Sequence, residues 1–351
     1  MYINDLSTYL KNTYGHKVYR LALNGGMTCP NRDGRVGTGG CIFCSAGGSG
    51  DFAQSAGESI AEQIRLAKEL VKNKIHDGTY IAYFQAYTNT YAPVEYLRRI
   101  FTEAIEAPEI EILAVATRPD CLEEEKIQLL AELNRKKPVW VEVGLQSAKE
   151  ESAWLIRRGY ENKVFENALK QLISRGIDVI VHIIIGIPGE SREDILNTVK
   201  YINSFDIKGV KIQLLHVLRG TDLEQYYYEY PFHVYTMEEY TQILCDVIEH
   251  LRRDIVIHRL TGDGPKKLLI EPQWSGNKRA VMNYIHREMQ MRNIEQGAKA
   301  MVTGGLLCHS YSTFRARTPC MAATSFSAMT TATSSPQYRT CRFSRWRSAT
   351  S

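Results

Sequence analysis

The sequence predicts an α/β fold in which strand and helix units repeat around a parallel sheet. Three observations predict it. From about Val18 to Leu260, short β-branched or apolar runs alternate with longer stretches of helical period, which is the pattern of parallel βα units. Several runs are nearly continuous in Val, Ile and Leu, as in strands covered on both faces. The longest, around VIVHIIIGI, is far shorter than the roughly 18 apolar residues that span a membrane, so it reads as a buried strand.

In chain order the expected strands are VYRLALN (18–24), TYIAYFQA (79–86), EILAVAT (111–117), VWVEVGLQ (139–146), DVIVHIIIG (178–186), GVKIQLLHV (209–217) and DIVIHRL (254–260). Between them, apolar residues three and four apart mark core-facing helices, such as Ile60, Ile64, Ala67 and Val71, or Ile243, Leu244, Val247, Ile248 and Leu251. The strand count falls short of eight. A partial barrel of about six repeats, a (βα)6 of the TIM type, or an open doubly wound sheet satisfies it, and both put chemistry at the carboxyl ends of the strands. After Leu260 a Gly- and Pro-punctuated segment leads to a helix from about Lys278 to Arg292, read as a C-terminal extension packed on the barrel. From Ala298 onward periodicity ends, 18 of 54 residues are Ser or Thr and acids are absent. A segment of that composition buries too little surface to offset its ordering entropy. Residues 298–351 are therefore expected to be a disordered or non-native tail.

Composition excludes several function classes. With 351 residues, 44% hydrophobic and 23% charged, the chain can bury a sizeable core. The net charge of +4 comes from 43 basic and 39 acidic residues, but seven of the basic ones follow Gly297 and no acidic one does, which leaves residues 1–297 at −3. The basic isoelectric point thus belongs to the tail. The N-terminus, MYINDLSTYLKN, lacks a basic region followed by an apolar stretch, so a cytoplasmic location is expected. Eight unevenly spaced cysteines do not form a disulfide framework, and in a reducing compartment clustered cysteines suggest metal.

The cluster is CPNRDGRVGTGGCIFC, holding Cys29, Cys41 and Cys44 directly after the first strand. Cys41 and Cys44 form a C-x-x-C grip, and Gly37, Gly39 and Gly40 let the backbone fold back so that Cys29 reaches the same centre. The longer first spacer adds only about 1 kcal/mol of closure entropy, against metal-binding energies on the order of 10 kcal/mol. Structural zinc takes four protein ligands, and His16 is the candidate fourth. Three ligands instead leave one metal position open for a substrate or cofactor. Phe43 would shield one side of the centre.

On these residues the sequence resembles the radical S-adenosylmethionine superfamily, in a subfamily with an expanded C-x11-C-x2-C motif related to the Elongator catalytic subunit. The resemblance runs from about Tyr14 to Gly297, through YIAYFQAYTNTYAP, ATRPDCL, VWVEVGLQS, RRGY, HIIIGIPGE, VKIQLLHVLRGT and VIHRLTGDGP. It implies a partial (βα)6 TIM-type barrel over residues 1–260, with an extension over 261–297. It also implies a [4Fe-4S] cluster on Cys29, Cys41 and Cys44 whose open iron chelates S-adenosylmethionine, and reductive cleavage to a 5′-deoxyadenosyl radical that abstracts hydrogen from substrate. The implied partners are tRNA, modified at its wobble uridine, and a cellular electron donor such as flavodoxin or ferredoxin. No membrane partner is implied.

Cofactor-binding candidates follow the strand ends. Gly186, Pro188, Gly189 and Glu190 of GIPGE would approach adenosine, with free amides on the helix near Ser191. Gln85, Tyr87, Thr88 and Asn89 stand where the superfamily has a glycine-rich motif for the methionine amino group. Alternation aims Glu142 and Gln146 into the barrel, where a buried carboxylate needs a partner, either ribose or sulfonium or a salt bridge to a neighbouring strand. Arg158 matches an arginine that often pairs with the methionine carboxylate. Arg118, Asp120 and Arg259 are the substrate-pocket candidates preferred over His182, His216, His258 and Asp263, while Met27, Cys121 and Cys245 read as packing residues. Two other readings stay open, a radical enzyme acting on a small metabolite and a zinc-stabilised interaction barrel. The absence of a second cysteine triad argues against methylthiolation.

Overall fold

The computed structural model describes residues 2–48, 50, 53–72 and 78–300. Residues 301–351 of the expected tail, with Cys308, Cys320 and Cys341, lie outside the described residues. The chain opens with helix α1 (Leu6–Tyr14), whose N-cap Asp5 accepts from the amides of Ser7 and Thr8. The expected strands follow as β1 (Val18–Leu23), β2 (Thr79–Phe84), β3 (Ile110–Thr117), β4 (Val139–Gln146), β5 (Asp178–Ile185) and β6 (Gly209–Leu214). Between them run α2 (Ile60–Val71), α3 (Val94–Glu106), α4 (Glu124–Asn134), α5 (Glu150–Leu155), α6 (Asn162–Ser174) and α7 (Arg192–Asn203). A short strand, β7 (Val217–Leu218), precedes α8 (Asp222–Glu229), α9 (Met237–His250) and β8 (Val256–Arg259). The chain then forms β9 (Leu269–Glu271) and α10 (Lys278–Met291).

Seven strands pair in parallel in the order β1-β2-β3-β4-β5-β6-β8. Six βα repeats and a seventh closing strand therefore make the α/β partial barrel, and β1 and β8 are the two ends of the sheet order. On the outer face Leu113, Val141, Val179 and Ile212 pack against helix residues such as Phe101, Leu130, Leu169 and Val199, all essentially inaccessible. Each such side chain contributes about 1.5–3 kcal/mol. At the amino ends of the strands the inner face carries Ile81, Ile112, Trp140 and Ile180, and Leu10 of α1 plugs it. The carboxyl ends stay polar, which leaves the site there.

The run 209–217 is not one strand. After Leu215 the chain leaves the sheet, and Val217–Leu218 pairs antiparallel with Leu269–Glu271. The extension contributes Val281, Ile285, Met289 and Ile294 to the main core, and Ala298 and Lys299 still hydrogen-bond to the body. No helix among the described residues is long and apolar enough to cross a membrane.

Candidate functional site

The cysteine loop folds over the carboxyl end of β1 through its own backbone. Arg32 and Asp33 donate amides to the Cys29 carbonyl at 2.8 and 3.3 Å, Gly40 donates to Asn31 O at 2.8 Å, and Cys44 donates to Cys41 O at 3.0 Å. Gly39 and Gly40 take φ of +82° and +91°, the left-handed region that favours glycine. At Gly37 an added Cβ would lie 2.5 Å from Asn31 Oδ1. Asn31, which the sequence reading passed over, donates Nδ2 to Arg157 O at 2.6 Å and stands 3.6 Å from Cys41 Sγ. Arg32 locks the other end by donating to the Cys44 and Ser45 carbonyls.

Cys29, Cys41 and Cys44 line one cavity, and none forms a disulfide. Burial, then the neighbouring Cys44 sulfur, pushes the Cys41 thiol up to about 12. A thiol so placed loses its proton when a cationic centre binds it. Among the described residues no three His, Cys, Asp or Glu side chains close tightly enough for a single metal ion, where thiolate sulfurs stand about 3.8 Å apart around a zinc with bonds of about 2.3 Å. His16 is no fourth ligand. It precedes β1, at the opposite end of a strand about 20 Å long, and bonds Thr79 Oγ1 at 2.8 Å.

The same cavity is walled by Gln85, Thr88, Glu142, Gln146, Arg118 and Arg259. Gln146 has φ +66°, and the β4–β5 register slips between Gly144 and Gln146. A non-glycine residue in that conformation marks stored strain. The bulge turns Gln146 inward, and its Oε1 is buried without a partner. Tyr87, at φ +59°, donates its hydroxyl to Ala46 O and ties the second strand's exit to the cysteine loop.

Glu142 is 1% exposed and pairs with the Lys211 ammonium, while its Oε2 accepts from His182 at 2.9 Å. The salt-bridge alternative is thus realised, yet Oε1 keeps no partner. Burial opposes ionisation of Glu142, but Lys211 and then His182 outweigh it and hold the carboxyl well below its usual range. Burial pushes His182 down to about 4, so the ring is neutral and its Nε2 carries the proton given to Glu142. Lys211 also donates to the Tyr83 hydroxyl at 2.9 Å. The sequence signal for Lys211 was its place two residues before Gln213 on the polar face of an otherwise apolar strand.

The geometry shows what three of the expected groups contact within the protein. Arg158 is buried, and all five of its N–H groups are committed, to the carbonyls of Leu145, Ser147 and Tyr160 and to Glu150. It therefore ties the end of β4 to the loop before α6, and it lines the same cavity as the cysteines. Asp120 does not line the cavity. It accepts a bidentate pair from Arg118 at 2.9 and 2.8 Å, which aims Arg118 beside Cys29 and Cys41 over the Tyr160 ring. Gly186, Pro188, Gly189 and Glu190 also lie off the cavity wall. Glu190 accepts from the Ser147 hydroxyl. At the start of α7 a capping box satisfies the amides of Ser191 and Asp194. Among the histidines, His258 packs on Trp140 near the barrel floor with Arg20 3.0 Å from its Nδ1. Arg259 reaches the cavity and lies 3.3 Å from Asp263.

Comparison with known proteins agrees with this arrangement. The family described as Radical SAM superfamily matches residues 31–202, and the Radical_SAM C-terminal domain matches residues 207–291. Uncharacterized protein YtqA of Bacillus subtilis is 42% identical over 294 residues, covering 84% of this chain and 91% of that protein. Uncharacterized protein MJ0486 of Methanocaldococcus jannaschii is 34% identical over 295 residues, covering 83% and 90%. A tRNA uridine(34) acetyltransferase of Methanocaldococcus infernus is 27% identical over 162 residues, covering 45% of this chain and 30% of that protein. Among solved structures, the archaeal Methanocaldococcus infernus Elp3 with an N-terminal deletion shares the fold, with a TM-score of 0.62, 19% identity, and 80% of this chain and 64% of that one covered. The chain belongs to the radical S-adenosylmethionine superfamily and is an enzyme of that class, with a [4Fe-4S] cluster and S-adenosylmethionine as its cofactors.

Proposed function

We propose that Cys29, Cys41 and Cys44 hold the cluster and that the enzyme acts on RNA, at the C5 side chain of a wobble uridine in tRNA. The observation that carries the site assignment is one cavity shared by three thiols and by two buried acceptors without partners, Glu142 Oε1 and Gln146 Oε1. When bound, the two cofactors supply reductive cleavage of a sulfonium and abstraction of hydrogen from substrate. The chain's own residues supply position and dryness. Glu142, kept ionised, accepts from hydroxyl or ammonium donors of the cosubstrate, and Gln146 Oε1 accepts beside it. Arg118 offsets the negative charge of the thiolates, with Asp120 fixing its orientation. Phe43 and Tyr87 cover the centre and exclude water. A flavodoxin or ferredoxin is the proposed electron donor.

The RNA reading is supported by the relative named as a tRNA uridine(34) acetyltransferase and by the fold shared with the archaeal Elp3. The competing substrate, a small metabolite, draws support from the −3 charge of residues 1–297. Anaerobically purified protein should hold iron and sulfide and release 5′-deoxyadenosine under reduction. Replacing any one of the three cysteines by Ala should abolish both, whereas the buried Cys245→Ala should retain them. Stoichiometric zinc without sulfide would reject the assignment. Nucleoside analysis of tRNA from a deletion strain should show a wobble uridine lacking its side chain, and an unchanged profile from a cleavage-competent enzyme would point to the metabolite.

A further inference from the structure

Outside the barrel, α8 and the cysteine loop share a small core of their own. Ile42, Ile156, Leu215, Val217 and Leu223 are buried together, and Tyr226, Tyr227 and Phe232 pack half-buried on them. The helix is fastened to the loop directly, because the Leu223 amide donates to Ile42 O at 2.8 Å. The outer face of this core is aromatic. Ring centroids run from Tyr228 to Tyr227 at 5.7 Å, on to Phe232 at 5.4 Å, to Tyr226 at 6.2 Å and to Tyr230 at 5.4 Å. Five rings thus make one continuous strip, and its two ends, Tyr228 and Tyr230, are 64% and 63% exposed. Neither end lines the cysteine cavity. Large rings left in water on a rigid support offer their faces for stacking.

Exposed rings alone would suit a protein as well as a base, and the charges beside them decide. The acids of α8 are engaged. Asp222 pairs with Arg157 at 2.6 Å, Glu224 accepts from the Gly220 amide at 2.6 Å, and Glu229 accepts from Gln225 Nε2 at 2.8 Å. The neighbouring cations are not. Arg219 stands exposed just before α8, and its backbone amide donates to Leu268 O at 2.7 Å, which brings the exposed Lys266 and Lys267 to the same end of the helix. Among the described residues none of these three cations is in an ion pair. A helix of 8 residues is about 12 Å long, so unpaired cations stand at one end of a short rigid element and open rings at the other. Aromatic faces beside cations that track a backbone are how proteins hold single-stranded nucleic acid, base on ring and phosphate on cation.

We infer that the outer face of α8 is a stacking platform for unpaired bases of an RNA loop, with Tyr228 and Tyr230 each taking one base and Arg219, Lys266 and Lys267 holding phosphates of the same strand. This rests on the RNA reading above and adds a surface, outside the cavity, for the nucleotides that flank the reacting one. The test is equilibrium binding of the full-length protein to a labelled RNA hairpin with a single-stranded loop and to the same stem as a blunt duplex, whose bases are already stacked. Wild type should bind the hairpin about tenfold more tightly. Tyr228→Ala combined with Tyr230→Ala should erase that preference, and the corresponding double change to Phe should keep it, because stacking needs the ring and not the hydroxyl. The triple change of Arg219, Lys266 and Lys267 to Ala should weaken both RNAs alike and reduce the salt slope by about two. Dithionite-driven release of 5′-deoxyadenosine should match wild type in every variant, which shows an intact barrel and cysteine loop. A hairpin preference that survives the double Ala change or is lost in the double Phe change overturns the inference, as does a salt slope unmoved by the triple change. A wild-type dimer that the double Ala change splits gives the strip to a second copy and overturns it too. Wild type that binds neither RNA sinks the platform, whereas the RNA reading falls on a separate result, an unchanged tRNA profile in the deletion strain.

Discussion

Glu142 keeps its charge out of contact with water because a parallel register supplies its partners. β5 sets His182 beside Gly144 of β4, and β6 sets Lys211 opposite His182, so ammonium and imidazole converge on one carboxylate. Removing one member leaves the other uncompensated, which costs about 3–5 kcal/mol for a buried pair. Glu142→Gln should therefore lower the chemical denaturation midpoint by that order, and adding Lys211→Met should recover most of the loss. If the double variant is no more stable than the single one, Lys211 is not charged in the fold. The neutral histidines give a separate signature. His182 and His216 sit near 4 when folded, against about 6.5 when unfolded. Both states are neutral above about pH 6.5. As pH falls from there towards 4, only the unfolded chain takes up protons, so stability falls by up to about 1.4 kcal/mol per pH unit for each ring. Urea unfolding between pH 7 and 4 should show this slope, and His216→Gln should remove one ring's share of it.

The cysteine loop is the element on which the site depends, and its glycines carry a specific burden. Gly40 has φ +91°, and an added Cβ would stand 3.0 Å from Arg32 Nε. Gly40→Ala thus strains the backbone and displaces the arginine that holds the Cys44 carbonyl, at a cost of about 1–3 kcal/mol. That cost falls on the loop alone. Iron bound at limiting supply should drop severalfold while the far-ultraviolet circular dichroism stays that of wild type. A wild-type iron content would mean that the loop forms without the left-handed turn. These glycines, like the seven strands, were legible because local chemistry sets them: β-branched runs make strands, and a Gly-rich spacer between cysteines has few other uses. What stayed hidden depends on distant pairing. Nothing near Arg158 foretells that its five donors go to Leu145, Ser147, Tyr160 and Glu150, which depends on how β4 ends against the α5–α6 loop. The split of 209–217 into two strands was hidden for the same reason, since β7 is fixed by β9, some fifty residues later. Lys211 could have been found by alternation alone. In the GIPGE segment Gly186 and Gly189 take positive φ in the turn into α7, whose N-cap is Ser191.

At the scale of the whole molecule, the Gln296 side chain and a short backbone bridge join the two ends of the described body. Gln296 is inaccessible to solvent. Its Nε2 donates to the carbonyls of Arg252 and Ile255 at 2.7 and 2.8 Å, and its Oε1 accepts from the Asn4 amide at 2.9 Å. Tyr2 and Glu295 bridge alongside, and Ile294 is buried against the main core. The amide thus fastens the segment before α1 to the approach to β8, alongside the bridge that Asp5 makes to Ile257 of β8. Beyond it, Lys299 adds one ion pair to Glu249, of the exposed kind worth at most about 1 kcal/mol. We therefore expect a sharp boundary. A chain ending after Ala300 should keep the melting temperature, iron content and cofactor cleavage of the full sequence. One ending after Asn293 loses Ile294 and the three Gln296 bonds, leaves buried groups unpaired, and should lose about 3 kcal/mol or more of stability. Thermal denaturation of both truncations beside the full chain decides it: equal melting of the two would mean that Gln296 holds nothing, and a destabilised longer form would mean that the residues after Ala300 support the barrel.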